Sequence, residues 1–384
     1  MPRLWRPAWW RRLKVASFPL ARPYIAEMEG YEPIDPPEVV ARELGIPSET
    51  LAKLDGNENP YGPSPKAMAA LAGLSTAHLY PDPWQRELRR VLARGLGVDE
   101  GNIVCGAGSD DLLDVICRLW AGPGRRVVVA PPTFGMYEFL ARLYGAEVVE
   151  VARRPDFSLD VEAMARALRG AEAICFLASP NNPTGNLVRR EELEALLTTG
   201  ALIVVDEAYV EFAEQGWPGR RYTFYPLALE RENLMVLRTF SKWAGLAGLR
   251  IGYGIMAKEM AALVLKAKMP YNVNVAAQAA ALASLEDLEV LRERIRAIVA
   301  ERERMAQGLS RIPWLEVYPS QANFLLCRVM DRDAREVWQG LRRRGVLVRC
   351  YSHPSLRHHL RISAGRPLDT DRLLAALQWL NEGR

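Results

Sequence analysis

From residue 84 onward, apolar positions recur at Leu88, Val91, Leu92 and Leu96, the spacing of one helix face, and Gly97 stands where a left-handed cap would end that helix. An apolar triplet at 103–105 then meets Gly106, Ala107, Gly108, Ser109 and Asp110, after which Leu112, Leu113, Val115, Ile116, Leu119 and Trp120 resume helical spacing. The pattern predicts strand, glycine turn, helix. Further apolar runs at 127–130, 148–151, 173–178, 202–205 and 234–237 are separated by helix-like or turn-like sequence, and several are nearly continuous in Val, Ile and Leu. Strands covered on both faces have that composition, so the fold class predicted is α/β: a large domain with a mostly parallel sheet between helices. Beyond about residue 270 the texture changes. A charged helical stretch over 276–309 predicts one long bridging helix; short strand candidates follow at 314–318, 323–327, 346–350 and 360–363, with helices at 334–344 and 369–380. These form a smaller α+β domain. The organisation expected is an N-terminal extension over 1–30, a segment 31–55 joining the small domain, a large domain over 56–275, and the bridging helix with the small C-terminal domain over 276–384.

Composition narrows the class. The chain has 384 residues, 49% hydrophobic and 25% charged, which is ordinary globular usage with room for two or three domains. The net charge is +4, but Arg3, Arg6, Arg11, Arg12, Lys14 and Arg22 all precede the first acid, Glu27, and without these six the remainder carries a net −2. No basic stripe and no zinc-finger spacing marks a nucleic-acid surface. No run approaches the roughly 18 to 20 uncharged apolar residues of a membrane span, and the apolar stretch 15–21 is interrupted by Pro19, unlike a signal peptide. Five scattered cysteines (Cys105, Cys117, Cys175, Cys327, Cys350) predict reduced thiols and a cytoplasmic protein. His78, His353, His358 and His359 lack metal-ligand spacing, so no metal is expected.

Ligands of open α/β sheets bind outside the carboxyl ends of the strands, and four polar clusters directly follow apolar runs. Gly106 to Asp110 would let backbone N–H groups approach an anion at a helix start. Asp206, Glu207, Ala208 and Tyr209 follow the run 202–205; a carboxylate at a buried strand end calls for a cation, which a protonated ring nitrogen would provide, and Tyr209 could offer a phenol to the same ring. The loop Ser179, Pro180, Asn181, Asn182, Pro183, Thr184, Gly185 carries two asparagine amides where turn chemistry alone requires none. Thr239, Phe240, Ser241 and Lys242 place an amine ahead of Gly245, Gly248 and Arg250. An anion cup, a ring-facing carboxylate, an amide loop and an amine together suit a phosphorylated aldehyde cofactor linked to lysine, and pyridoxal 5′-phosphate fits.

The order of residues 55–63 (DGNENPYGP), Tyr80-Pro81, the glycine cup, 131–137 (PPTFGMY), 179–185, 206–209, Ser241-Lys242, 246–250 (LAGLR) and 360–363 (LRIS) resembles a fold-type I, pyridoxal-phosphate-dependent aminotransferase of the class-II family, and within that superfamily the histidinol-phosphate aminotransferases. The resemblance runs from Pro23 to the C-terminus. It implies that Lys242 binds the cofactor covalently and shuttles a proton, that Asp206 pairs with the ring nitrogen, and that Tyr209 and Asn182 hold the ring oxygen. Phe134 would cover the ring face, and Ser109, Asp110, Ser241 and Arg250 would hold the phosphate. Tyr80 would reach the cofactor of a neighbouring subunit in a homodimer with shared active sites.

Arg361 would receive the α-carboxylate of glutamate, with Arg349 and Tyr24 as candidates for the phosphate of histidinol phosphate. The reaction implied is a ping-pong exchange between histidinol phosphate and 2-oxoglutarate, running in the biosynthetic direction from imidazole-acetol phosphate and glutamate, in histidine biosynthesis. An aromatic amino-acid aminotransferase and a threonine-phosphate decarboxylase would use the same cofactor residues and stay open. A cofactor-binding regulatory module ranks last, since the residues before Asp55 show no helix-turn-helix pattern. Cys350 beside Arg349 and the bulk of Trp243 after Lys242 depart from the expected pattern.

Overall fold

The computed structural model describes residues 22, 24, 25, 28, 30, 33–170 and 172–382, so most of the extension expected over 1–30 lies outside the described residues. The strands among them are, in chain order, β1 (Ala52–Leu54), β2 (Ile103–Gly106), β3 (Arg126–Val129), β4 (Glu147–Glu150), β5 (Ala173–Ala178), β6 (Leu202–Asp206), β7 (Leu234–Thr239), β8 (Gly252–Met256), β9 (Leu315–Val317), β10 (Phe324–Val329), β11 (Val346–Cys350) and β12 (His359–Ser363).

Seven strands form one sheet in the order β2-β8-β7-β6-β5-β3-β4. Its pairings are parallel except those of β8, which runs antiparallel to both β2 and β7. Two antiparallel steps restore the original direction, so β2, β3, β5, β6 and β7 all release their carboxyl ends at one edge. Burial on both faces accounts for the unbroken apolar runs. Along β5, Ala173, Cys175 and Leu177 enter one core cluster while Ile174, Phe176 and Ala178 enter the other, and β6 and β7 divide in the same way.

β8 did not register as a strand in the apolar pattern because Gly252 and Gly254 interrupt it. A Cβ on Gly252 would lie 2.6 Å from Ser109 N and 2.8 Å from Arg238 O, so this strand needs glycine for close backbone approach.

The smaller sheet has the order β1-β11-β12-β10-β9, with β1 parallel to β11 and the other neighbours antiparallel. The single helix expected over 276–309 is two, Val275–Leu285 and Leu288–Leu309. Asp287 breaks it with φ −117° and ψ 31°, and its carboxylate accepts the Lys66 N–H at 3.1 Å. The second helix does span both sheets: it packs on the short helix Val210–Glu214 beside β6 and on β9 and β10. Among the described residues, no helix is long and apolar enough to cross a membrane, and no cluster of three or more His, Cys, Asp or Glu is placed to hold a metal.

Candidate active site

A cavity of about 310 Å³ opens where those carboxyl ends meet the small sheet. Its wall takes Ser109 and Asp110 from beyond β2, Phe134 from beyond β3, Asn182 from beyond β5, Asp206 and Tyr209 from β6 and its turn, Thr239, Ser241 and Lys242 from β7 and its turn, and Arg250. Arg349 of β11 and Arg361 of β12 close it from the small sheet, where the two arginines are register partners.

Asp206 ends a strand buried along its whole length. Its Oδ2 accepts the Tyr137 hydroxyl at 3.0 Å and its Oδ1 the Ala208 N–H at 3.1 Å. Burial pushes its pKa up to about 7 against these two donors, since no cation among the described residues pairs with it. Lys242 lies across the cavity, its Nζ donating to Gly56 O at 3.4 Å and standing 5.9 Å above the Tyr209 ring centroid. Burial, reinforced by the positive charge of Arg361, lowers its pKa to about 8, so about a tenth of the amine is neutral at pH 7.

Tyr209 accepts a hydrogen bond from Asn57 Nδ2 at 3.0 Å, and burial raises its phenol to about 12. Asn57 sits at φ +52° and is held by Ser363 of β12, whose hydroxyl is 2.7 Å from Asn57 Oδ1. Of the two loop asparagines, Asn181 is wholly buried and structural, bonded to Pro132 O, Thr133 and Thr184, while Asn182 faces the cavity. Arg361 Nη1 donates to Asn182 Oδ1 at 2.9 Å and Nη2 to Asp55 O, which leaves its buried Nε without a partner.

At the glycine cup Gly108 has φ +83°, and a Cβ there would lie 2.5 Å from Arg250 Nη2. The cup keeps both requirements of a backbone anion site: a left-handed residue and room for a guanidinium beside the helix start at Ser109. Arg250 is itself left-handed, φ +55°, and meets Asp110 at 2.7 Å.

Two sequence candidates lie away from this cavity. Tyr80 is 83% exposed and packs against Tyr271, with ring centroids 4.8 Å apart and the planes tilted by 31°. Tyr24 packs its ring where a Cβ on Gly145 would sit, and accepts a hydrogen bond from Arg22 at 2.9 Å. Sequence reasoning did not single out Tyr137 or Asn57. Tyr137 lies with Leu140 and Ala141 on the buried face of the helix Met136–Leu143 and reads as plain core; the available signal was its hydroxyl, which a buried tyrosine must satisfy. The bulk of Trp243 has a home, fully buried between Phe240 and Trp217 with centroids 5.3 and 6.2 Å away. A second cavity of about 210 Å³ shares Phe134, Asn182, Arg349 and Arg361 with the first and extends to Tyr351 and His353.

Residues 49–377 match the family model described as aminotransferase class I and II. A histidinol-phosphate aminotransferase of Roseiflexus castenholzii is 48% identical, covering 94% of this chain and 97% of that one. A chloroplastic histidinol-phosphate aminotransferase of Nicotiana tabacum is 42% identical over 96% of this chain and 88% of that one. Among solved structures, the histidinol-phosphate aminotransferase of Sinorhizobium meliloti in complex with pyridoxal-5′-phosphate superposes with a TM-score of 0.85 at 29% identity, over 96% of this chain and 99% of that one. The chain belongs to the class I and II aminotransferase family, and within it to the histidinol-phosphate aminotransferases.

Proposed function

We propose that this chain is a pyridoxal 5′-phosphate-dependent transaminase that exchanges an amino group between histidinol phosphate and 2-oxoglutarate, supplying histidine biosynthesis when it runs from imidazole-acetol phosphate and glutamate to histidinol phosphate and 2-oxoglutarate. The observation that carries the reading is Asp206, a buried carboxylate without a paired cation among the described residues, sharing one cavity with an amine of lowered pKa. A ring with a protonated nitrogen satisfies the carboxylate, an aldehyde satisfies the amine, and the Gly108 to Ser109 cup with Ser241 and Arg250 accommodates a phosphate. When bound, the cofactor supplies an aldehyde for amines to condense with and a cationic ring that accepts electron density from the substrate α-carbon.

The chain's own groups do the rest. Asp206, oriented by Tyr137, holds a proton on the ring nitrogen, and Tyr209 and Asn182 hold the ring oxygen while Phe134 covers the ring face. Lys242 would carry a proton from the substrate α-carbon to the cofactor's aldehyde carbon, the role its lowered pKa suits near neutral pH. Arg361, on the cavity wall, receives the α-carboxylate of glutamate. Arg349, on both cavity walls, serves with Arg361 for the substrate phosphate, and the adjoining cavity takes the side chain. Tyr24 has no contact with this cavity that would place it among those ligands. Tyr80, exposed and packed against Tyr271, is read as the residue that reaches the cofactor of a neighbouring subunit in a homodimer with shared active sites. Unpaired cysteines, four buried and one half-buried, fit a cytoplasmic compartment.

The test loads purified protein with cofactor and follows its visible absorbance on separate addition of histidinol phosphate, glutamate, phenylalanine and threonine phosphate. Conversion by histidinol phosphate and glutamate is expected. Conversion by phenylalanine alone would assign an aromatic aminotransferase, and CO2 release from threonine phosphate a decarboxylase. Borohydride reduction and digestion should leave a pyridoxyl group on the peptide containing Lys242.

A further inference from the structure

Behind the anion cup runs a chain of polar contacts whose members do not line the cavity. Asp111, the third residue of the helix Ser109–Trp120, reaches back past the helix start, and its Oδ2 accepts the Ala107 N–H at 2.8 Å. The same oxygen accepts Asn272 Nδ2 at 2.7 Å, while Asn272 also lies 3.4 Å from Cys105 O. Asn272 Oδ1 in turn accepts from Lys268 Nζ at 2.8 Å, and Lys268, buried, donates to Pro83 O at 3.0 Å.

This arrangement bears on the cup in two ways. The cup is a tight path, Ala107 to Gly108 to Ser109, and the backbone of Gly252 presses so close behind it that a Cβ there would meet Ser109 N at 2.6 Å. Fixing the Ala107 N–H therefore fixes where the Ser109 amide points. The helix start also carries two acids, which oppose any anion placed there unless each is engaged. Asp110 is engaged by Arg250 at 2.7 Å; Asp111 is engaged by Ala107 and Asn272, with the Lys268 ammonium one residue further out.

We propose that Asn272, oriented by Lys268, is a positioning residue for the phosphate cup: it holds the Asp111 carboxylate against Ala107, which aims the Ser109 amide and keeps the second acid off the bound phosphate. The proposal rests on reading the cavity as a pyridoxal 5′-phosphate site, and it predicts selectivity for the phosphate. Loss of Asn272 weakens binding of the phosphorylated cofactor and leaves the ring and the amine of Lys242 untouched.

The experiment measures dissociation constants of pyridoxal 5′-phosphate and of pyridoxal by absorbance titration of cofactor-free protein, with inorganic phosphate as competitor. Asn272→Leu and Asn272→Ser, the latter too short to reach Asp111, are each expected to weaken pyridoxal 5′-phosphate and inorganic phosphate about 10-fold to 30-fold, the scale of one hydrogen bond to a charged group. Pyridoxal should change less than about twofold. Asp111→Asn alone keeps a carbonyl oxygen that can accept from both Ala107 and Asn272 while removing the charge, so it should bind the phosphorylated ligands at least as tightly as wild type. Equal losses for pyridoxal and its phosphate on changing Asn272, no loss for either, or weakened binding of the phosphorylated ligands by Asp111→Asn overturns the proposal. Wild-type protein that binds neither aldehyde overturns the cofactor reading and this inference with it, whereas wild-type binding with indifferent variants overturns this inference alone.

Discussion

Replacing Asp206 by asparagine isolates what this buried carboxylate does to the cofactor-free protein. In the folded chain its pKa stands at about 7 against an ordinary value of 3.8, because burial removes water and no cation among the described residues replaces it. Between those values the folded protein keeps a proton that the unfolded chain has released. Stability is therefore greatest below the unfolded value and is lost as pH rises towards 7. A gap of about three pH units at 1.36 kcal/mol per unit corresponds to about 4 kcal/mol, of which no more than about 1.4 kcal/mol can be lost per unit by a single proton.

The Asp206→Asn side chain is neutral at every pH and keeps both hydrogen bonds: its carbonyl can accept from Ala208 and its amide can donate to the Tyr137 oxygen. Denaturant unfolding of the two cofactor-free proteins from pH 3.5 to 7.5 should give similar stabilities at the acid end. The variant should become progressively the more stable towards neutrality, by up to about 4 kcal/mol. Loading with pyridoxal 5′-phosphate should reverse the order at pH 7.5, because only the carboxylate meets a ring cation. Glu211, raised to about 8, and the other buried groups titrate in both proteins and cancel in the difference. Two stability profiles that run parallel across this range would refute the reasoning.

Three further outcomes follow from the same geometry. With Lys242 lowered to about 8, the rate at which cofactor-free protein captures pyridoxal 5′-phosphate should rise with pH and level off above about 8, as read by stopped-flow absorbance; a rate still climbing at pH 10 would contradict the lowered pKa. Gly108→Ala combines a φ of +83° with a Cβ 2.5 Å from the Arg250 guanidinium, so affinity for the phosphorylated cofactor should fall at least about tenfold in the same titration. Trp243→Ala empties a fully buried site between Phe240 and Trp217 and should cost about 3–5 kcal/mol in urea unfolding.

The chain by itself determined the order of elements and the identity of most cavity residues. Alternation and runs of apolar residues are local properties, and an open parallel sheet sends every strand-end loop to one edge, so Ser109, Asn182, Asp206 and Lys242 could be named as neighbours before any distance was known, while Phe134 was legible only through the family resemblance. Gly252 and Gly254 hid β8 because the feature that makes it a strand, close backbone approach on both sides, belongs to its neighbours. The break at Asp287 was hidden in the same way, since Lys66 takes part in it from 221 positions away. Only the tertiary structure decided how the cavity groups are held. Tyr137 reaches Asp206 across 69 positions, Asn272 reaches Asp111 across 161, and Arg361 reaches the Asp55 carbonyl across 306. Periodicity specifies which face of an element is buried; which polar atom a buried group then meets depends on sheet order and on how the small sheet sits against the large one, and both arise from packing between segments far apart in the chain.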